Sequence, residues 1–432
     1  MVLASMIPRV IAALLLVLAP APNVAAQSGP SSCTTAGQNL YVRDVMSDLY
    51  FWYREIPSLD PVKFDSPEAY LDAIRYKTID KTFSYITSRA SNDAFFSDSQ
   101  FIGFGFSTLI VADQLRITDV FPDSPASEAN LARGDRIVEI NGQSVAALFD
   151  AGGLGDVFGS SDVGVQGQLL VQRGGVTYQA HMTKRLVTIP TVSLTKVYET
   201  EGGRRVGYVS FKNFVQPSFD ALDVAFADLR ARQVNELVLD LRYNGGGLVS
   251  VAQHLASLIG GTRTTGQVFA QYFHNDRNRF RDSTLRFQDL SNALALDRLI
   301  VITTRASASA SELVINALRP FMPVFVVGDR TYGKPVGQYG ITFCDKVLAP
   351  VSFTVRNANG EGDYFDGLAP TCAAPDDLDH PLGDAAEGSL HEAVVLILTG
   401  QCSHPASTGL APSRRRLTAP GFDGWQDLVG AH

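Results

Sequence analysis

At 432 residues the chain is long enough for about three domains of roughly 150 residues each. Apolar residues make up 45% of it, with 37 Gly and 21 Pro, a composition that excludes collagen-like, coiled-coil and wholly disordered chains. Its 36 Lys and Arg against 44 Asp and Glu leave a net charge of -8, and the nearest thing to a basic cluster is Arg414-Arg415-Arg416. General nucleic-acid binding, which needs a basic face to displace counterions, is excluded on that balance.

Residues 1–26 read as a secretory signal peptide: Arg9, a short apolar run over 10–19, then Pro20, Pro22 and the small residues Val24-Ala25-Ala26. The run is about half of the roughly 20 residues a membrane-spanning helix needs, so no transmembrane segment is expected. The chain is therefore expected to be exported, to a periplasm or the medium. Pro30-Ser31-Ser32 lacks the aliphatic residue that precedes a lipidated cysteine, so lipid anchoring at Cys33 is not expected. Four cysteines, at 33, 344, 372 and 402, suit an oxidising compartment and allow three pairings. Cys344 with Cys372 and Cys33 with Cys402 is the expected pair. The seven histidines are scattered and no Cys-x-x-Cys occurs, so neither a metal nor a cofactor is implied.

From 33 to 98 the pattern is helical. Leu40, Tyr41, Val45, Leu49, Trp52 and Tyr53 form one apolar stripe, and Asp65-Ser66-Pro67-Glu68 opens a second helix with a cap, a first-turn proline and an acid. This reads as a packing module. From 99 to 185 short strands and turns take over: Ile102-Gly103-Phe104-Gly105-Phe106, an alternating strand over 115–120, and Ser124-Pro125-Ala126. A strand over 136–140 follows, closed by Asn141-Gly142, and then a hairpin over 169–175. With its Leu131-x-x-Gly134-Asp135-x-Ile137-x-x-Ile140-Asn141-Gly142 string, the segment resembles a PDZ domain. That resemblance implies that the loop Gly103, Phe104, Gly105 and Phe106 holds a peptide's terminal carboxylate while the peptide adds a strand to the sheet edge. Phe104 and Phe106 point to an apolar peptide terminus.

From 186 to 402 strands alternate with helices. Strands are expected over 206–211, 236–242, 299–303 and 324–327, and helices over 219–230, 248–259 and 312–318. This is the grammar of a mostly parallel sheet with helices on both faces, an α/β core. Residues 403–432 are rich in Pro, Ser, Thr and Arg, and little order is expected there outside 422–429.

Reactive groups in such sheets gather at the carboxyl ends of strands. Three strand ends stand out. Asp240-Leu241-Arg242-Tyr243-Asn244-Gly245-Gly246-Gly247 runs into a glycine turn whose bare N–H groups could face an oxyanion. Ser307-Ala308-Ser309-Ala310-Ser311-Glu312 lies between a strand and a helix N-terminus, where a serine either caps the helix or attacks. Gly328 to Gln338 carries Lys334 just past a buried strand, and a lysine acts as a base only when desolvation lowers its pKa.

The three strings in this order resemble the carboxyl-terminal processing (tail-specific) proteases, Ser/Lys endopeptidases with an inserted PDZ domain and a ClpP/crotonase-like core. The resemblance spans roughly residues 38–402. It implies Ser309 as nucleophile, Lys334 as general base, Gln338 as the residue orienting that base, and the N–H groups of Gly246 and Ala310 as the oxyanion hole. Arg173 falls where some members couple peptide binding to activation. The chain departs from the family pattern at Gly245, usually Pro, and at Pro335, usually Gly, which fixes a backbone angle beside the base. His254 is the one histidine close to the motifs in sequence, so a Ser-His-Asp arrangement is the weaker option. The implied substrates are proteins or peptides with exposed C-termini; self-association stays open. The competing reading is a catalytically inactive protein on the same fold that binds peptide or a hydrophobic ligand.

Overall fold

A strand covered on both faces needs apolar side chains at almost every position, and Glu236–Asp240 and Leu299–Thr303 are buried along their whole length. They lie at the centre of a six-stranded sheet. Its order follows the chain: Val192–Glu199, Arg205–Phe211, Glu236–Asp240, Leu299–Thr303, Val324–Gly328 and Cys372–Ala373. The first pair is antiparallel and every later neighbour is parallel. Successive residues point to opposite faces. Leu237, Leu239, Leu299 and Val301 join the core under helices Ser218–Ala231, Val249–Gly260 and Ala310–Leu318. Val238, Ile300 and Ile302 pack instead with Leu390, Ala393, Leu396 and Ile397 of helix Gly388–Thr399. Helices thus cover both faces, as the sequence pattern predicts.

The structure is a computed structural model that describes residues 29–405 except 153, 155, 156 and 201. The expected signal peptide, and the tail beyond 405, lie outside the described residues. No helix among the described residues is long and apolar enough to cross a membrane.

In the strand-rich module Phe104, Phe106, Ile117, Ile137, Ile140, Leu169 and Val171 close one core. Strand Phe106–Val111 sits at the edge of its sheet, paired on one side only, with Gln114–Val120. The helical segment is more than a self-contained packing unit. Tyr41, Val45, Leu49 and Tyr50 share a core with Val336, Phe343, Leu348 and Val351, which belong to the strands around Lys334.

The disulfides correct the expected pairing: Cys33 joins Cys344, and Cys372 joins Cys402. Cys344 and Cys372 belong to different layers. Helix Thr35–Leu49 packs its Tyr41 ring 5.5 Å from that of Phe343, which brings Cys33 beside Cys344. Cys372 lies in the edge strand of the large sheet, packed with helix Gly388–Thr399, whose end delivers Cys402.

Candidate active site

Three chain segments converge on a cavity of about 480 Å³ lined by Gly245, Gly246, Gly247, Ser309, Ala310, Lys334 and Gln338. The serine loop shows how alternation sorts its hydroxyls. Ser307 and Ser311 are fully buried and donate to Leu241 O at 2.7 Å and Asn244 O at 2.9 Å, stitching the loop to the glycine turn. Ser309, half-buried, faces the cavity. Its backbone stands at φ 55°, ψ −112°, a conformation that costs a non-glycine residue roughly 1–3 kcal/mol. Such strain at the mouth of a cavity points to function.

The glycine turn closes against this loop. A Cβ on Gly246 would lie 2.8 Å from Ala308 O, Ala310 N and Ser309 Cβ, so only glycine lets the turn come this near. Asn244 organises both segments. Its carbonyl accepts the Ala308 N–H at 3.1 Å, its side-chain nitrogen donates to Phe211 O, and its Oδ1 accepts the Gly246 N–H at 2.9 Å. That last bond was not foreseen. It occupies one expected oxyanion donor, whereas the Ala310 N–H has no acceptor among the described residues.

Lys334 is 5% exposed. Its Nζ donates to Gln338 Oε1 at 2.6 Å, and it lies 5.9 Å from the centre of the Phe83 ring. Gln338 is held in turn: its Nε2 donates to Phe83 O and to Ala349 O. Pro335 does not break this path. Burial pushes the Lys334 pKa down to about 8, with the carboxylates of Asp80 and Glu312 pulling it back. Lys334 and Ser309 share the cavity, and no hydrogen bond joins their side chains in this structure.

Several residues at the site escaped the sequence reading. Phe83 and Asp80 come from the helical segment, about 250 residues before Lys334 in sequence, and only tertiary packing brings them there. Glu312 was legible as the acid of a Ser-x-x-Glu capping box. The structure gives its carboxylate four donors: the N–H groups of Ser309, Gly333 and Lys334 and the Thr331 hydroxyl. His254, by contrast, bonds Asp223 Oδ1 at 2.9 Å and does not line the cavity.

In the strand-rich module Gly103, Phe104, Gly105 and Phe106 are all buried, the two rings in the core, and the carbonyls of Phe104 and Gly105 accept the Ala126 and Phe121 N–H groups. Arg173 pairs with Asp135 and also bonds Asn130 O and Tyr178, all within the same module. A different arginine crosses to the core. Arg133 donates to Tyr243 Oη at 2.9 Å, Asp376 Oδ1 at 3.0 Å and the carbonyls of Asp377 and His380. Tyr243, at φ 62°, immediately precedes Asn244 and the glycine turn.

Comparison with known proteins accords with this architecture. Residues 205–372 match the family model described as Peptidase family S41, residues 37–85 that of the Peptidase S41 N-terminal domain, and residues 116–157 that of a PDZ domain. The chain is 28% identical over 280 residues to the carboxy-terminal processing protease CtpB of Bacillus subtilis, covering 64% of this chain and 56% of that protein. It is 24% identical over 278 residues to a carboxy-terminal-processing protease of Bartonella bacilliformis, covering 61% and 60%. The match thus spans less than two thirds of either relative. A solved structure assigned to the S41 proteases, from Bacteroides fragilis, superposes with a TM-score of 0.69 at 29% identity, over 83% of this chain and 97% of that one. Mature CPAF, at 11% identity and a TM-score of 0.50 over 80% and 93%, shares the fold.

Proposed function

The chain belongs to peptidase family S41, and from that premise we propose that it is an exported serine endopeptidase working through Ser309 and Lys334. The observation that carries this reading is a lysine buried in the same cavity as a strained serine, with its pKa pushed down to about 8. A neutral amine can take a proton; an ordinary lysine near pH 10.5 cannot do so at physiological pH.

Neutral Lys334 removes the Ser309 hydroxyl proton as the oxygen attacks a peptide carbonyl, and Gln338 Oε1 holds the amine in place by accepting one of its N–H bonds. The developing oxyanion is met by the Ala310 N–H. The Gly246 N–H joins it once Asn244 Oδ1 releases that donor, each donor contributing roughly 3 kcal/mol. Lys334 then protonates the leaving amine, and water resolves the acyl-enzyme. Leu248, Leu313, Phe353 and Val355 line the cavity beside Ser309, which suits an apolar side chain at the cleaved bond. The PDZ module, with the open edge of strand Phe106–Val111, would take the substrate's C-terminus. Two disulfides suit an oxidising compartment and so support export.

The test is cleavage of an unfolded protein by the mature chain. Ser309→Ala and Lys334→Ala should each lower kcat by at least about a thousandfold. Wild-type turnover by Lys334→Ala would remove the lysine from the mechanism.

A further inference from the structure

Burying a carboxylate is costly unless every acceptor position is filled, and in this site the proposed chemistry leaves one such group unused. Glu312 is 0% exposed. As the third residue of helix Ala310–Leu318 it closes a capping box, but on a surface helix a cap contributes only about 1 kcal/mol, too little to offset a buried charge. A capping role would also need only the Ser309 N–H. The carboxylate does more. Oε2 accepts the N–H of Ser309 at 2.9 Å and that of Lys334 at 2.8 Å. Oε1 accepts the Gly333 N–H at 2.7 Å and the Thr331 hydroxyl at 2.6 Å, and Thr331 Oγ1 itself accepts the Leu368 N–H at 2.7 Å. The three N–H groups have no lone pair with which to receive a proton. Burial pushes the carboxyl pKa up, but this ring of donors pulls against it and is matched to the ionised form.

One oxygen, Oε2, therefore touches the main chain of both Ser309 and Lys334, residues 25 apart in sequence that arrive from different strand ends. We propose that Glu312 is a positioning residue that sets the reach between the Ser309 hydroxyl and the Lys334 amine by gripping the backbone of each. The inference rests on the Ser/Lys reading above. The charged and titratable groups facing Lys334 are Asp80 and Glu312, and those facing Glu312 are Lys334 and Tyr364.

The experiment is Glu312→Gln in the mature chain, assayed on an unfolded protein with the folded fraction measured alongside. A carboxamide keeps the shape but turns an N–H donor toward N–H groups. We expect kcat to fall about a hundredfold with KM little changed, the scale of a 1 Å misplacement. The midpoint of the rate–pH curve should also move down, because one of two anions that stabilise the Lys334 ammonium has gone. A kcat within a few-fold of the parent, or one that falls only as the folded fraction falls with the midpoint unmoved, overturns the proposal. If Glu312→Gln does not fold, Thr331→Val removes one of the four donors and keeps the charge. It should lower kcat about fivefold, the value of one hydrogen bond, and an unchanged kcat overturns the proposal equally. Ser309→Ala separates the two levels. If it still cleaves, the Ser/Lys reading itself fails; if it is inert while Glu312→Gln turns over normally, only the role of Glu312 fails.

Discussion

Lys334 and Arg242 are both cations sealed inside the same core, at 5% and 1% exposure, yet their surroundings prepare them for opposite fates. Arg242 meets Asp240 at 2.6 Å, Glu387 at 2.7 Å and Asp376 at 3.4 Å. Burial alone would push its pKa down, but these carboxylates hold it well above the ordinary value. Lys334 Nζ has one bonded partner, a neutral amide oxygen, and its two nearest anions are spent on other donors. Burial then wins. Desolvation alone does not make a base; what decides is how many anions lie within bonding reach.

The largest effect should come from breaking the paired cation. Arg242→Met would leave Asp240 and Glu387 buried without their counter-ion. Removing one partner of such a cluster costs about 3–5 kcal/mol. Chemical denaturation should show that loss. A variant as stable as the parent would mean the carboxylates had already found other donors, and the contrast with Lys334 would weaken.

Much of this arrangement was legible in the sequence, and for physical reasons. Short β-branched apolar runs such as residues 299–302 suit a doubly covered strand, and the three strand-end motifs lie in local sequence around residues the cavity brings together. What stayed hidden depends on long-range packing. Phe83 supplies a carbonyl to Gln338 across 255 positions, and no periodicity in the helical segment announces it. The disulfides were mispaired because sheet membership, which separates Cys344 from Cys372, cannot be read from proximity in the chain. Arg133 carries no signal of its own in the sequence, and its bond to Tyr243 exists only in the folded chain.

The unpaired cation yields a smaller effect of opposite sign. Holding Lys334 at about 8 instead of 10.5 corresponds to roughly 3 kcal/mol of lost stability at neutral pH, and Lys334→Met would recover this less about 1 kcal/mol for the unsatisfied Gln338 oxygen. The inactive variant should therefore be about 2 kcal/mol more stable than the parent. Linkage gives a check on the cause. With the folded pKa below the unfolded one, the unfolded chain binds more protons between pH 8 and 10.5, so the parent gains stability with rising pH across that window. The gap between parent and variant should be constant below about pH 8, narrow above it and reverse before 10.5, leaving the parent about 1 kcal/mol the more stable at high pH. A gap independent of pH would trace the gain to packing rather than to charge.

The smallest effect is the most discriminating. If the base must be neutral, cleavage should rise with pH through about 8 and level off above it. Asp80 is buried, accepting from the Tyr50 hydroxyl at 2.9 Å and from the N–H and hydroxyl of Ser84, and its charge favours the Lys334 ammonium. Asp80→Asn should move the midpoint to lower pH while leaving the high-pH plateau in place, so that the variant is faster than the parent near pH 7. Asp240→Asn removes an equally buried carboxylate, but one whose bonds go to Arg242 and Tyr208. It should lower stability and leave the midpoint where it was. Should both substitutions displace the midpoint alike, the two cations would be sharing one field, and the distinction between a guanidinium kept charged and an amine eased toward its neutral form would lose its basis.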